Sequence, residues 1–190
     1  MDGLGWLWGL LLLGLLGGLG IWAIGQYNML VKLRNAVEEA FSTMDVYLKK
    51  RFDLVPNLVE TVKGFAAQER EVLTQVTEAR SMIQSATTTE DKIAGENMLT
   101  GALRSLFAVS EAYPDLKSNV NFLDLQQQLQ SIEVDIAQSR KFYNGVVKQM
   151  NNRVEMFPSS IFANLFGFTR FPFFAVADEV ERENVAVSFA

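Results

Sequence analysis

An uninterrupted apolar stretch at the beginning of the chain constrains its fold more than any other feature. No residue in Gly3–Val31 is charged, and Leu4–Ile24 is almost wholly Leu, Gly, Ile, Trp and Ala. About 20 apolar residues in a helix cross a hydrocarbon core about 30 Å thick. Trp6, Trp8 and Trp22 lie near the two ends of the stretch, as is typical of rings in the headgroup region.

The stretch is therefore interpreted as a transmembrane anchor over residues 1–26. A cleaved signal peptide is the alternative, but such a peptide begins with Lys or Arg and ends in an A-x-A-like site. Here the first charge is Asp2 and no such site follows. The predicted membrane-facing residues are Leu4, Trp6, Trp8, Leu12, Leu16, Ile21, Trp22 and Ile24.

Glycines interrupt the anchor at spacings that bear on self-association. Gly5-x-x-x-Gly9 and Gly14-x-x-x-Gly18 both have the small-residue spacing that lets transmembrane helices approach closely. Because seven glycines lie between residues 3 and 20, chance matches also explain this spacing. A generic anchor and an oligomerising anchor both remain open.

The distribution of cations predicts the orientation of the anchor. Lys32, Arg34, Lys49, Lys50 and Arg51 follow the apolar stretch, and no Lys or Arg precedes it. By the positive-inside rule, we expect a cytoplasmic body and a short N-terminus outside.

Composition limits the chemistry of the remainder. After the first 31 residues the chain has 17 basic and 21 acidic residues, which are intermixed, so a nucleic-acid partner is not expected. There is no Cys or His, which removes thiolate nucleophiles, Cys/His zinc sites and the usual general base near neutral pH. No loop has the spacing of a calcium site and no Gly-rich phosphate loop occurs. We predict no catalytic residue, no cofactor and no metal site.

Apolar residues in the body recur at alternating spacings of three and four, as in packed helices. Six of seven such positions are apolar from Leu30, nine of ten from Val55 and nine of eleven from Phe122. These three series predict amphipathic helices, and no segment indicates a strand. Because Gln26-Tyr27-Asn28 contains no strong breaker, the first helix can run out of the membrane without interruption.

Capping residues and prolines predict where the helices begin and end. Asp53 can cap a second helix that has Pro56 in its first turn, and Thr87-x-x-Glu90 reads as a capping box for a third. Pro114 is expected to end the third helix. Asn121 is expected to cap a fourth helix that ends before Pro158.

These limits predict the architecture of the body. The second and fourth helices, about 33 and 36 residues long, would each span about 50 Å. We therefore predict an all-α protein with a single N-terminal transmembrane helix, followed over residues 27–157 by an elongated antiparallel bundle of long helices.

A series of short segments runs along these predicted helices: Tyr27-Asn28, Leu33-Arg34-Asn35, Asp45-Val46, Arg51-Phe52-Asp53-Leu54-Val55-Pro56-Asn57-Leu58-Val59, Val62-Lys63-Gly64, Tyr113-Pro114-Asp115-Leu116-Lys117, Asn121-Phe122, Arg140, Tyr143-Asn144 and Phe157-Pro158. In identity and order they resemble the LemA family of bacterial membrane proteins, over about residues 27–174. The resemblance implies an N-terminal transmembrane helix in the bacterial cytoplasmic (inner) membrane, an outside N-terminus and a long-helix bundle. It supplies no defined activity and no catalytic residues. The last sixteen residues match nothing that could be used.

The body offers one candidate cluster of polar residues. On long helices these residues could converge into a buried polar layer, although caps, interhelical hydrogen bonds and solvated faces explain such residues more often. The candidates are Arg51, Asp53, Asn57, Arg140, Asn144 and Asn152.

Phenylalanine is concentrated at the end of the chain, in a predicted separate segment over residues 158–190. Eight of the fourteen Phe lie between residues 157 and 190, and Arg170 is the only charge between Glu155 and Asp178. The segment could dock in the headgroup layer, form a subunit interface, or fold back over the bundle core. The residues expected to contact lipid or a neighbour are Phe162, Phe166, Phe168, Arg170, Phe171, Phe173 and Phe174.

Two functional hypotheses follow. The first is a non-enzymatic, membrane-anchored scaffold that self-assembles through its bundle and C-terminal segment to organise or shape membrane. The alternative is an adaptor or regulator of another membrane protein, such as a membrane protease or a signalling complex. The expected partners are membrane lipid and further copies of the chain, with another membrane protein in the alternative. An enzyme is the least favoured class.

Overall fold

The computed structural model describes residues 5–175, and this range is built of helices and connections without a strand. The prediction of an all-α fold is thereby confirmed for the described residues. The helices are α1 (Gly5–Phe65), α2 (Arg70–Ser85), α3 (Thr89–Ser110), α4 (Pro114–Lys117), α5 (Val120–Glu155) and α6 (Ser159–Leu165).

The first helix, α1, is 61 residues long and contains the whole described part of the apolar stretch. The helix continues through Gln26, Tyr27 and Asn28, so the predicted uninterrupted run out of the anchor is confirmed. The predicted start of a second helix at Asp53 is wrong, because α1 also continues through Pro56.

Burial explains why Pro56 does not break α1. Proline in a helix interior costs about 3 kcal/mol or more, through a lost hydrogen bond and a steric clash. Val55, Leu58 and Val62 are each at most 1% exposed, and burying each such side chain contributes roughly 1.5–3 kcal/mol. Tertiary packing on this face therefore outweighs the local penalty.

The helix break lies between Phe65 and Arg70. Glu69, the one charged member of the apolar series that starts at Val55, lies in this turn. Its carboxylate accepts a hydrogen bond from the Tyr113 hydroxyl at 2.7 Å. That hydrogen bond raises the pKa of Tyr113 above its ordinary value.

Two predicted caps are displaced by one or two residues. The Thr88 hydroxyl, not Thr87, accepts from the Asp91 backbone N–H at 3.1 Å and caps α3. The Asn119 side chain, not Asn121, accepts from the Phe122 backbone N–H at 3.1 Å at the start of α5. The short polar residues at each site are nearly equivalent as caps, so the packing of the following helix selects among them.

The end of the third helix also differs from the prediction. Helix α3 ends at Ser110, and Pro114 is the first residue of the one-turn helix α4 instead of a terminator. Proline is well tolerated in a first helical turn because its missing N–H would have no partner there.

The chain forms two compact units. Unit 1 comprises Met1–Met44 and Ser139–Phe173, and unit 2 comprises Asp45–Gln138 and Phe174–Ala190. In unit 1 the buried apolar side chains come from α1, α5, α6 and the residues after α6: Leu30, Val37, Ala40, Met44, Tyr143, Val147, Met150, Ala163 and Phe168. The members of this set on α1 belong to the predicted apolar series that starts at Leu30.

Unit 2 has its own core of buried residues from the end of α1 and from α2 to α5. Helices α2 and α3 pack along each other in this unit and are joined by three residues. The packing is closest at Gly95, where an added Cβ would lie 2.9 Å from Ile83 Cγ1 and 3.1 Å from the Ile83 backbone nitrogen. A glycine at this position thus permits the close approach of the two helices.

Candidate functional site

The predicted anchor residues that the structure describes are all exposed on α1. Leu4 lies outside the described residues, whereas the other seven are between 42% and 75% exposed. The described part of the chain contains one helix with a segment long and apolar enough to cross a membrane, judged by length and composition. These exposed fractions are consistent with a membrane anchor, since lipid would solvate such side chains.

Three glycines lie on one face of the anchor, beside the exposed side chain of Ile21. At 100° per residue, Gly14, Gly18 and Gly25 fall within about 40° of one another on a helix. A Cβ built at any of the three would meet no atom within 4 Å. This glycine face (Gly14, Gly18 and Gly25) is therefore open to the approach of another surface.

The end of the anchor contacts the C-terminal segment through aromatic rings. Trp22 and Phe162 have centroids 5.3 Å apart, and Tyr27 and Phe166 have centroids 4.8 Å apart, both in edge-to-face geometry. Such pairs add about 0.5–1.5 kcal/mol beyond the burial of their area. Phe168 also contacts Tyr27, at a centroid distance of 5.9 Å.

Two side chains of α5 hold the part of the C-terminal segment that follows α6 by hydrogen bonds to its backbone. The Asn151 side chain donates to the Phe171 carbonyl and accepts from the Phe171 N–H, each at 2.9 Å. The Tyr143 hydroxyl donates to the Pro172 carbonyl at 2.9 Å. Asn151 is buried, and sequence reasoning selected its exposed neighbour Asn152 instead.

The aromatic residues of the segment divide between buried and open positions. Phe168 and Phe174 are buried, Phe162 and Phe171 are half-buried, and Phe166 and Phe173 are exposed. Arg170 is exposed and forms an ion pair with Glu155 at 2.9 Å. Part of the segment therefore packs against the protein, while some of its apolar side chains remain exposed to solvent. The remaining Phe189 lies outside the described residues.

An ion-pair cluster in unit 2 is the most buried polar feature among the described residues. Arg51 donates to the Glu96 carboxylate at 2.6 Å, to the Glu133 carboxylate at 2.8 Å and to the Thr100 hydroxyl at 2.9 Å. Arg51 and Glu96 are each 1% exposed, whereas the Glu133 side chain is 44% exposed. The Arg51 Nε lies buried without a hydrogen-bond partner among the described residues.

The electrostatics of the cluster are set by burial. Desolvation raises the pKa of Glu96 above its ordinary value, and the Arg51 charge acts in the opposite direction. Lys92, which forms an ion pair with Asp45, also lowers the pKa of Glu96, while Asp45 raises it slightly. The arrangement matches a structural ion pair, because its guanidinium is engaged by protein oxygens on both terminal nitrogens.

Of the six polar candidates from the sequence, only Arg51 is fully buried. Asp53, Asn57 and Asn152 are exposed, so these residues do not converge into one buried layer, and the solvated faces favoured from the sequence account for them. Arg140 and Asn144 are half-buried members of unit 1. The partners of Arg51 were not selected from the sequence. Glu96 lies on the same face of α3 as the buried residues Ile93, Leu99 and Leu103, and a charged residue on an apolar face indicates a buried ion pair.

A groove of about 360 Å³ opens beside the ion-pair cluster in unit 2. Leu103, Phe107 and Leu129 supply apolar surface to it. Arg51, Thr100, Arg104, Gln126, Gln130 and Glu133 supply the polar groups. The volume suits one or two side chains of a partner. Within residues 5–175, no group of three carboxylates lies close enough together to hold a metal ion.

The fold and these sites define a class: an all-α protein whose first helix carries a candidate membrane anchor and whose polar cluster is structural. The LemA family model matches residues 40–189, and the chain belongs to the LemA family. The resemblance found in the motifs is thus confirmed. The match starts later than residue 27 and extends past residue 174 into the final residues.

Three characterised relatives are similar to the chain. Protein LemA of Metamycoplasma hominis is 24% identical over 169 residues, which cover 87% of this chain and 75% of that protein. The magnetosome proteins MamQ 1 and MamQ 2 of Paramagnetospirillum magneticum are each 25% identical over 175 residues, which cover 78% of this chain and 64% of theirs. The chain therefore spans less than two thirds of the MamQ proteins. Neither the family description nor the three names is that of an enzyme.

Proposed function

We propose that this chain is a non-enzymatic, membrane-anchored scaffold whose subunits assemble laterally to organise or shape a membrane. In this proposal the apolar part of α1 crosses the bilayer once. The helical units then form contacts between subunits on one side of the membrane. The partners are membrane lipid and further copies of the same chain.

The observation that carries the proposal is the open glycine face of the anchor. In lipid, helix association is driven by close packing instead of by hydrophobic burial, and small residues allow that packing. Gly14, Gly18 and Gly25 lie together on one side of a helix that is otherwise rich in Leu, and none of their positions is covered by a described residue. Two anchors that meet on this face could approach closely at Gly14 and Gly18, with the side chain of Ile21 packing beside the contact.

The bundle and the C-terminal segment add surface to this assembly. Phe166 and Phe173 remain 52% and 43% exposed, and exposed aromatic residues of this size are typical of interaction surfaces. Because Phe168 and Phe174 are buried within their own units, they are not available to a neighbour. The scaffold would therefore use fewer rings than the sequence suggested.

Energy transfer between labelled copies of the full chain in vesicles tests the assembly. The variant Gly14→Leu/Gly18→Leu should lower transfer, because bulky side chains separate the helices. Gly20→Leu is the matched control, since Gly20 is equally open but lies at least about 120° from each glycine of the face. Equal transfer in both variants would remove the glycine face from the proposal, and no transfer in the parent chain would end the scaffold hypothesis.

We further propose the bacterial cytoplasmic membrane as the location, with the N-terminus outside and the helical units in the cytoplasm. Lys32 and Arg34 follow the anchor directly, whereas no cation precedes it, in keeping with the positive-inside rule. The chain has no cysteine, so a Ser42→Cys variant gives one labelling site. An impermeant maleimide should label this site only after spheroplasts are opened; labelling of intact spheroplasts would reverse the orientation.

The adaptor remains the second candidate, and the groove in unit 2 favours it. The mixed apolar and polar lining of this groove fits an amphipathic segment of a partner membrane protein. A photocrosslinker at Gln130, which lines the groove, would capture such a partner. The control position is exposed Gln128 on the opposite side of α5. One stoichiometric foreign protein captured only from Gln130 favours the adaptor, and self-contacts alone favour the scaffold.

A further inference from the structure

We propose that an open apolar patch, formed by Met156, Phe157, Ile161 and Leu165, lies in the interfacial layer of the bilayer that holds the anchor. Each molecule would then contact lipid through two separate elements of unit 1. This inference rests on the membrane anchor of the proposed function and specifies how the rest of unit 1 meets the membrane.

The patch is apolar and uncovered. Its four side chains are 61%, 80%, 56% and 72% exposed, in chain order. Ile161 and Leu165 share one face of α6, while Ser159 and Ala163 on another face are at most 3% exposed. No charged residue lies between Glu155 and Arg170. The polar residues of α6 are Ser159, Ser160 and Asn164, whereas Ile161 and Leu165 form an exposed apolar face. An apolar face of this kind is typical of helices that lie at a lipid surface.

Ring contacts fix the position of α6 along the anchor. Phe162 meets Trp22 and Phe166 meets Tyr27. At 1.5 Å per residue, the apolar stretch that ends at Ile24 is about 30 Å long, and Tyr27 lies only about 5 Å beyond that end. Helix α6 is therefore held where the acyl chains give way to the headgroups, which is the layer where interfacial helices lie.

The charges around this level favour an anionic lipid surface over a soluble partner. Residues 25–35 and 150–175 contain four cations, Lys32, Arg34, Arg153 and Arg170, and a single carboxylate, Glu155. The Arg34 guanidinium lies over the Phe168 ring at 5.6 Å, so its charge is held beside the segment. Cations near a negatively charged leaflet attract it through their combined charge. Apolar groups flanked by cations are typical of interfacial membrane binding.

Spin labels in the full chain test the depth of the patch. Because the chain has no cysteine, Leu165→Cys provides one labelling site, and Ile161→Cys is a second variant in case the first disturbs α6. Leu12→Cys in the anchor is the lipid control. Phe142→Cys is the water control, since Phe142 is 63% exposed on the α5 part of unit 1. The protein is placed in vesicles of phosphatidylethanolamine and phosphatidylglycerol, and label accessibility to oxygen and to a water-soluble nickel complex is measured.

We expect the label at Leu165 to favour oxygen over nickel, as at Leu12, with a depth of about 5–10 Å. The label at Phe142 should favour nickel. A nickel-accessible label at both Leu165 and Ile161 overturns the inference but leaves the scaffold intact. Shielding from both reagents, with dipolar broadening between labels, also overturns it and assigns the patch to a second copy. A nickel-accessible label at Leu12 contradicts the anchor itself.

Discussion

The guanidinium of Arg51 donates to the carboxylate of Glu96 at 2.6 Å, with both side chains 1% exposed. Arg51 comes from α1 and Glu96 from α3, so this pair joins two elements of unit 2. A buried charge whose partner is removed is left without solvent or counter-charge, which makes the pair sensitive to single substitutions.

We predict that Arg51→Met lowers the free energy of unfolding by about 3–5 kcal/mol, the range for breaking a buried ion pair. Denaturant unfolding of the full chain in detergent micelles measures the loss. Lys49→Met is the control, because its partner Asp53 is 3.2 Å away and both side chains are more than half exposed. That pair should contribute less than about 1 kcal/mol. Similar losses in the two variants would mean that the cluster does not stabilise unit 2.

The raised pKa of Glu96 gives a pH dependence of defined sign. Since burial raises this pKa in the folded state, folded protein holds the proton more tightly than unfolded protein does. The stabilising contribution is complete below the unfolded pKa, about 4.3, and is lost as pH rises through the folded pKa. The stability of the parent chain relative to Glu96→Gln should therefore fall as pH increases from 4. If the stability of the parent chain relative to Glu96→Gln instead rises as pH increases from 4, the pKa of Glu96 is not raised in the folded protein.

Arg51 also illustrates what the sequence can and cannot predict. It is the one charged member of the apolar series that starts at Leu30, and its position in the series correctly indicates a residue on the buried face. Its partners come from 45 and 82 residues away. The apolar face around Glu96 marks it as a buried residue, but nothing local in the sequence specifies which helix contacts α1 near Arg51. The pairing of Arg51 with Glu96 and Glu133 could therefore not be predicted.

The two glycines of α3 should respond in opposite directions to alanine. Gly101→Ala should stabilise the fold by about 0.5–1 kcal/mol, because alanine is the better helix former and its Cβ meets no atom within 4 Å. At Gly95 the new Cβ would press on Ile83 at 2.9 Å, and overpacking costs about 1–3 kcal/mol. Gly95→Ala should therefore lower the midpoint of denaturant unfolding. A rise in both midpoints would show that α2 and α3 separate easily.

Asn151 and Asn152 provide a matched test of the C-terminal segment. Asn151→Ala removes both hydrogen bonds to Phe171 and should cost about 1–3 kcal/mol, since two backbone groups lose their partner. Faster proteolysis between residues 167 and 175 should accompany that loss. Asn152 is exposed, and Asn152→Ala should stay within about 0.5 kcal/mol of the parent. Unchanged proteolysis in Asn151→Ala would mean that the aromatic contacts alone hold the segment.

The fold could be predicted where local sequence decides the outcome. The candidate membrane anchor needs no tertiary partner to be recognised, because an uncharged apolar run of this length is typical of a membrane-spanning helix. The helix limits were less predictable, since α1 passes Pro56 only by virtue of the buried Val55 and Leu58. The burial of the individual C-terminal phenylalanines could not be predicted, because Phe168 is buried and Phe166 is exposed although both rings contact Tyr27.

The central claim is lateral assembly of singly anchored subunits, and particle mass tests it most directly. The full chain should be extracted from its membrane with surrounding lipid in polymer-bounded discs and weighed by mass photometry. The scaffold predicts discrete particles with several copies of the 21.3 kDa chain, and Gly14→Leu/Gly18→Leu should reduce the copy number while Gly20→Leu does not. Particles with one copy of the parent chain at every protein concentration would contradict the account.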